Sequence, residues 1–373
     1  MTWEVMGVNK KKALFRHEMR TMIWFLLAGI LMAVTVSYML YNMISECFSF
    51  DGSLIAFVEG TKITFTSRLS SALSKISIAS VFAIVVMGIV QFNDMHGKKS
   101  QEYLHSLPFT KRERFVVKAL VGYMVITAVM IVALIGVLCV RQAVIPEIWK
   151  SNLLSPAYKV LLGTDTLWQA IGMMIVAWLS FMAVYSIMLL AHVLVNKGIL
   201  AGIIGFGITV TPFWVYNVVM LLMTDTPYFD VDSQYYQNWL NSRGYFGVLL
   251  GVANSDVENM QLGFSSDFCS IIYYDKFWVL FVICLVIVAL CTAVSIFYTG
   301  RTDLARGGML VQKRPARIFL CAGIGLCFGA GIGAFACLWF WNDVMLLEFT
   351  VIGLISAFLI YFLCEKLFRK VFG

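Results

Sequence analysis

The sequence predicts an all-α integral membrane protein with about eight transmembrane helices. Both termini are expected in the cytoplasm, with a small extracellular segment between helices 5 and 6. Three observations lead there. Hydrophobic residues fill 60% of the 373 positions and charged residues 13%, giving a mean hydropathy of +0.85, too apolar for one or two soluble domains. Long stretches free of central charge recur along the chain: Met22–Met43, Ile76–Phe92, Ala119–Val140, Leu167–Val195, Gly198–Thr224, Phe277–Thr299, Ile318–Trp341 and Val344–Leu363. With the N-terminus inside, 20 of the 28 Lys and Arg lie on inner connections and 8 on outer ones, while the acidic residues divide 7 inside and 14 outside. That positive-inside bias sets the orientation. The net charge of +7 is therefore a membrane-orientation signal, and no nucleic acid is expected as a partner.

The elements follow in order. Residues 1–21 carry Lys10, Lys11, Lys12, Arg16 and Arg20 among Trp3, Leu14, Phe15 and Met19, a mixture that suits an interfacial elbow helix in the headgroup region and equally a basic tail. The apolar run from Met22 is too long for a signal peptide and has no small-residue cleavage site, so it reads as a retained anchor. Residues 22–224 hold the first five spans. A stretch of 22 residues such as Ala119–Val140 makes a helix of roughly 33 Å, enough to cross a hydrocarbon core of about 30 Å. The Ser45–Lys75 connection, with Ile63 and Phe65 among threonines, is read as a short strand or surface helix. Residues 225–276 form an extracellular cap segment, 277–365 the last three spans, and 366–373 a cytoplasmic tail.

The charged island Gln91–Lys118 lies between two uncharged spans. A short helix over Lys98–Leu107 must stop at Pro108, which lacks an N–H and biases Leu107 away from helical angles. Thr110 and Glu113 have the T-x-x-E spacing of a capping box, so the third span is predicted to start near Lys111.

In this setting the run EYLHSLPFTKRER resembles the segment between the second and third spans of type 2 ABC transporter permeases. The matching residues are Glu102, Leu104, His105, Ser106, Leu107, Pro108, Thr110, Lys111 and Arg112. The resemblance implies a coupling helix at about 94–110 that docks on a separate ATPase subunit, with Gln101, Glu102, Tyr103, Leu104, His105, Ser106, Leu107, Pro108, Lys111 and Arg112 at the contact. It also implies a dimer of that ATP-binding subunit, a second permease copy or paralogue, and a bacterial cytoplasmic membrane as the location. ATP and Mg would sit in the partner, with no cofactor bound directly by this chain. Phe297–Gln312 weakly resembles a stretch after a late span in multi-span permeases of the same superfamily. Asp303, Gly307 and Gly308 depart from that pattern. Without the family, the island reads as a basic loop that fixes topology.

No Asp, Glu, Lys or Arg falls near the middle of a span, which argues against an ion- or proton-coupled carrier. His192 and Glu348 come nearest, and both are read as facing the interface. Gly325, Gly329 and Gly333 recur every four residues and form a helix-packing seam. Pro212 is expected to kink its span. Together with Thr209, Thr211 and Asn217 it offers either the polar lining of a substrate pathway or structural polar contacts. The cap segment Asp225–Lys276 is acidic and rich in Tyr, Phe and Trp, a surface for a cationic amphipathic peptide or a lipid headgroup, or an interfacial anchor.

Catalytic readings find no support. There is no phosphate-binding G-x-x-x-x-G-K-[S/T], and His17-Glu18 lacks the second His of H-E-x-x-H because Thr21 occupies that place. No metal site is expected. Seven of the nine Cys fall in or beside spans, where a thiol behaves as a small apolar group. Cys47 and Cys269 lie outside the spans, as a disulfide or as two free thiols. Two functions remain: a permease subunit that exports or extracts an antimicrobial peptide, drug or lipid-linked molecule, and a non-transporting sensor or scaffold in an antibiotic-response complex.

Overall fold

A computed structural model describes residues 3–49, 65–96, 109–150, 167–195, 197–209, 277–299, 314–341 and 346–369. Among them the chain is helical and forms no strand. The helices are α1 Trp3–Ser49, α2 Phe65–Phe92, α3 Lys111–Lys150, α4 Leu167–Leu194, α5 Gly198–Thr209, α6 Phe277–Thr299, α7 Arg314–Trp341 and α8 Leu346–Arg369. Asn93–Met95 adds one 3₁₀ turn after α2.

Among the described residues six stretches are long and apolar enough to cross a membrane: Lys12–Ser45, Lys111–Val144, Ala170–Leu194, Phe281–Thr299, Arg317–Cys337 and Glu348–Arg369. Ala79–Met95 and Gly198–Thr209 are shorter apolar helices. The outer faces agree with a bilayer as solvent. Trp24, Leu31, Phe319, Leu326, Phe335 and Leu363 are all largely exposed, and an apolar exterior this extensive is costly in water. The chain is thus a multi-pass helical membrane protein. Several hydroxyl side chains inside the spans bond within their own helix. Thr35, Ser37, Thr127, Ser186 and Ser295 each donate a hydroxyl hydrogen bond to the carbonyl four residues earlier, as a medium without water requires.

α1 runs unbroken through residues 3–21, the stretch read as an interfacial segment, into the span. The chain divides into two compact units, one of Met1–Met87, Val116–Ser186 and Gly247–Leu290, the other of Gly88–Phe115, Ile187–Phe246 and Cys291–Gly373.

In the first unit, α1 and α3 are parallel and held close by glycine. A Cβ added at Gly29 would lie 2.4 Å from Val129 Cγ2, and one at Gly136 would lie 2.1 Å from Ser37 Oγ. α3 and α4 are joined by polar groups. Tyr123 Oη and Ser186 Oγ are 2.7 Å apart, and Trp178 Nε1 donates to Thr127 Oγ1 at 3.2 Å. In the second unit, Val195, Ala201, Ile204, Cys321 and Phe368 form a buried apolar cluster, and α7 packs against α8 along the Gly325, Gly329, Gly333 face. There an added Cβ would lie 2.7 Å from Ala357 O, 2.6 Å from Ala357 N and 3.0 Å from Phe349 O. These are backbone atoms, so only glycine permits that approach.

Candidate functional site

The sequence points to the connection between α2 and α3. Gln101, Glu102, Tyr103, Leu104, His105, Ser106, Leu107 and Pro108 lie outside the described residues; the two flanks of the segment are described.

The exit flank is built as the T-x-x-E spacing predicts. Glu113 N–H donates to Thr110 Oγ1 at 3.1 Å, and Thr110 N–H donates to Glu113 Oε2 at 3.1 Å. Each side chain satisfies a backbone donor that the first helical turn leaves open. The helix starts at Lys111, directly after the box. Lys111 is half-buried and Arg112 exposed, whereas Arg114 is buried. Arg114 interacts electrostatically with Asp94 on the entry flank, and its buried Nε has no hydrogen-bond partner.

The entry flank ends in a turn closed by a hydrogen bond from His96 N–H to Asn93 O at 3.2 Å. His96 then meets the last turn of α4, where its Nε2 lies 3.3 Å from His192 Nδ1. His192 is buried. Its ring stacks on Phe92 with centroids 5.4 Å apart and planes 22° apart, and Phe92 in turn touches Phe115 at 5.7 Å. Gly88 and Gly198 make room for the pair: a Cβ at Gly88 would lie 3.4 Å from His192 Nε2, and one at Gly198 would lie 3.2 Å from His96 Cδ2. His192 Nε2 is buried without a partner. With both rings neutral, the arrangement fits the tautomer in which Nδ1 of His192 carries the proton and donates it to His96, leaving a lone pair as the unpartnered group. The interface-facing role expected for His192 is therefore corrected. Aromatic stacking and a second imidazole hold it inside.

Within the first unit, four residues further along α3, Lys118 Nζ lies 3.0 Å from Glu18 Oε1 and 3.1 Å from Oε2. Both side chains are only 6% exposed. The pair joins α1 to α3 just before the charge-free part of each helix begins, after Arg20 on α1 and after Lys118 on α3.

Thr209 is buried at the last described residue of α5, and its hydroxyl donates to Gly205 O at 2.9 Å. Thr211, Pro212 and Asn217 fall outside the described residues, as do the cap segment and Cys269. Glu348 stands in the first turn of α8, where a carboxylate is favoured by the helix dipole.

Sequence reading missed the His96–His192 and Glu18–Lys118 pairs. The partners are 96 and 100 positions apart. For Lys118 and His192 the available signal was a titratable residue with apolar neighbours on both sides; Glu18 and His96 carry no such mark. Among the described residues no group of three or more His, Cys, Asp and Glu could hold a metal ion. The chain matches no protein-family model, no curated protein and no solved structure.

Proposed function

We propose that this chain is the membrane-spanning permease subunit of an ABC transporter of a bacterial cytoplasmic membrane. In this reading it has eight spans and cytoplasmic termini. It works with a dimer of a separate ATP-binding subunit and a second permease copy or paralogue to export or extract an amphipathic substrate. The substrate would be an antimicrobial peptide, a drug or a lipid-linked molecule. ATP and Mg belong to the partner.

The observation that supports the reading best is the Thr110–Glu113 capping box placed directly after the E-Y-L-H-S-L-P sequence. It begins α3 at a fixed residue. A force received by residues 101–108 would then enter a helix whose first turn is hydrogen-bonded from its first residue. Leu104 and Leu107 would supply apolar contact with the ATPase, Glu102 and His105 polar contact, and Pro108 the angle of return.

Two experiments test this. Cysteine labelling should place Lys98–Arg114 and Arg301–Arg317 inside and Asp225–Asp275 outside; outside labelling of the first segment ends the proposal. Leu104→Asp should insert normally and lose co-purification with the ATPase, because an unpaired charge buried at the contact costs several kcal/mol. If Leu104→Asp and His105→Ala complexes assemble and hydrolyse ATP like wild type, the contact is elsewhere. ATPase assembly with no substrate movement would instead support the sensor or scaffold reading.

A further inference from the structure

In the first unit, α1, α2 and α3 enclose a cavity of about 110 Å³. Its walls run along the helix axes: Phe25 to Val36 on α1, Leu73 to Met87 on α2 and Val125 to Ala133 on α3, closed by Phe181 of α4. Among the described residues of the lining, Ser80 is the polar side chain and none is charged. The space exists because small residues face it, with Ala28, Gly29, Ala33, Ser80, Ala83 and Ala133 in the wall. The Gly29–Val129 contact keeps α1 and α3 at fixed separation beside it.

The cavity has a mouth. On the α3 wall Val125, Ile126, Met130 and Ala133 are buried, whereas Ala28 of α1 is exposed and Ser80 and Ala83 of α2 are half-buried. The opening therefore follows the seam between α1 and α2. Beside it stand Trp24, Leu27 and Leu31, which are exposed and apolar, the face that a bilayer covers.

We infer that this cavity takes a single acyl chain of a bilayer lipid, entering through the α1–α2 seam. One described hydroxyl in the wall is fewer than the about two to four partners an ordered water needs, and a dry apolar cavity of roughly 150 Å³ is known to admit benzene-sized apolar guests. This one is smaller but long, lies parallel to lipid chains and opens onto the surface they cover. With about 110 Å³ spread along the helix axes, the space suits part of one linear hydrocarbon chain better than a fused ring system. Among the described lining residues Ser80 alone is polar, which gives no charged group to recognise a headgroup, so binding depends on the chain. The inference requires a membrane-spanning chain and is independent of any ATPase partner.

The test uses the purified full-length protein in phosphatidylglycerol vesicles containing phosphatidylglycerol with a diazirine at the end of one acyl chain. After irradiation, adducts are mapped by mass spectrometry. Adducts are expected on Met130 and Met87, which are buried and out of reach of surrounding lipid, as well as on exposed Leu27 and Leu31. Ala83→Phe fills the cavity and should lower the Met130-to-Leu31 adduct ratio about tenfold, equivalent to about 1.4 kcal/mol. If that variant does not fold, Ala83→Leu, judged monodisperse and helical, takes its place. Replacing the tagged lipid by phosphatidylcholine with the same chain should leave the ratio unchanged, and a diazirine sterol should mark only the exposed residues. Adducts confined to Leu27 and Leu31, a ratio untouched by filling, dependence on the headgroup, or sterol adducts on Met130 would each overturn the inference.

Discussion

Breaking the Glu18–Lys118 pair should be among the most damaging single changes in the first unit. At 3.0 Å and an effective dielectric constant of about 20, the two charges attract by about 5.5 kcal/mol before desolvation is subtracted. Desolvation is large for side chains 6% exposed, so the intact pair contributes far less than that. Removal of one partner is different, because the other charge then stays buried without the counter-charge it faces at 3.0 Å. Glu18→Gln and Lys118→Met should each destabilise by about 3–5 kcal/mol, while the double variant should recover most of the loss. With single losses of that size and a near-neutral double variant, the coupling energy from the cycle should exceed the range of about 0.5–3 kcal/mol usual for contacting residues. The assay is unfolding of the purified protein in mixed micelles, followed by tryptophan fluorescence, with the four proteins in parallel. Single variants that lose under about 1 kcal/mol and add without coupling would behave as an exposed pair does. That result would refute the burial argument.

Three further outcomes are expected. Gly329→Leu places a side chain against Ala357 N and Gly353 O, both 2.6 Å from its Cβ. It should cost about 1–3 kcal/mol or more because backbone cannot yield, whereas Gly323→Leu, with open space around it, should be neutral in the same unfolding assay. Gly29→Ala should destabilise through Val129, and Val129→Ala should rescue it, since the remaining Val129 Cβ lies at an ordinary 3.4 Å; failure of the rescue would show that α1 and α3 do not meet there. Thr110→Ala removes the cap at a cost of about 1 kcal/mol, read as roughly fivefold faster amide exchange in the first turn of α3, while Glu113→Gln should retain most of the protection.

How much of this was legible in sequence depended on the range of each interaction. The Thr110–Glu113 box joins residues three apart, so its spacing alone located the start of α3 at Lys111. The every-fourth-residue glycines identified a packing face on α7, because helix periodicity is local, but not the helix it meets; the structure supplies α8 through Ala357, Gly353 and Phe349. Hydropathy located the apolar helices for the same local reason. It could not foresee that α1 would continue from Trp3 without a break. His192 was misread because its two ring neighbours, Phe92 and His96, come from a helix end far away in the sequence. A lone imidazole near a span end carries no mark of whether the tertiary fold will cover it.

The parallel α1–α3 pair has a further consequence. Its contacts join Glu18 to Lys118, Gly29 to Val129 and Ser37 to Gly136, so the sequence offset stays almost constant along about 28 Å of helix. An axial slip of one residue, about 1.5 Å, would pull the carboxylate from the ammonium and drive Val129 and Ser37 off their glycines in the same movement. No part of that strain could be deferred, because all three contacts count the same register. Piston-like travel of either helix alone is therefore opposed at three levels at once, which favours movement of the two as a pair.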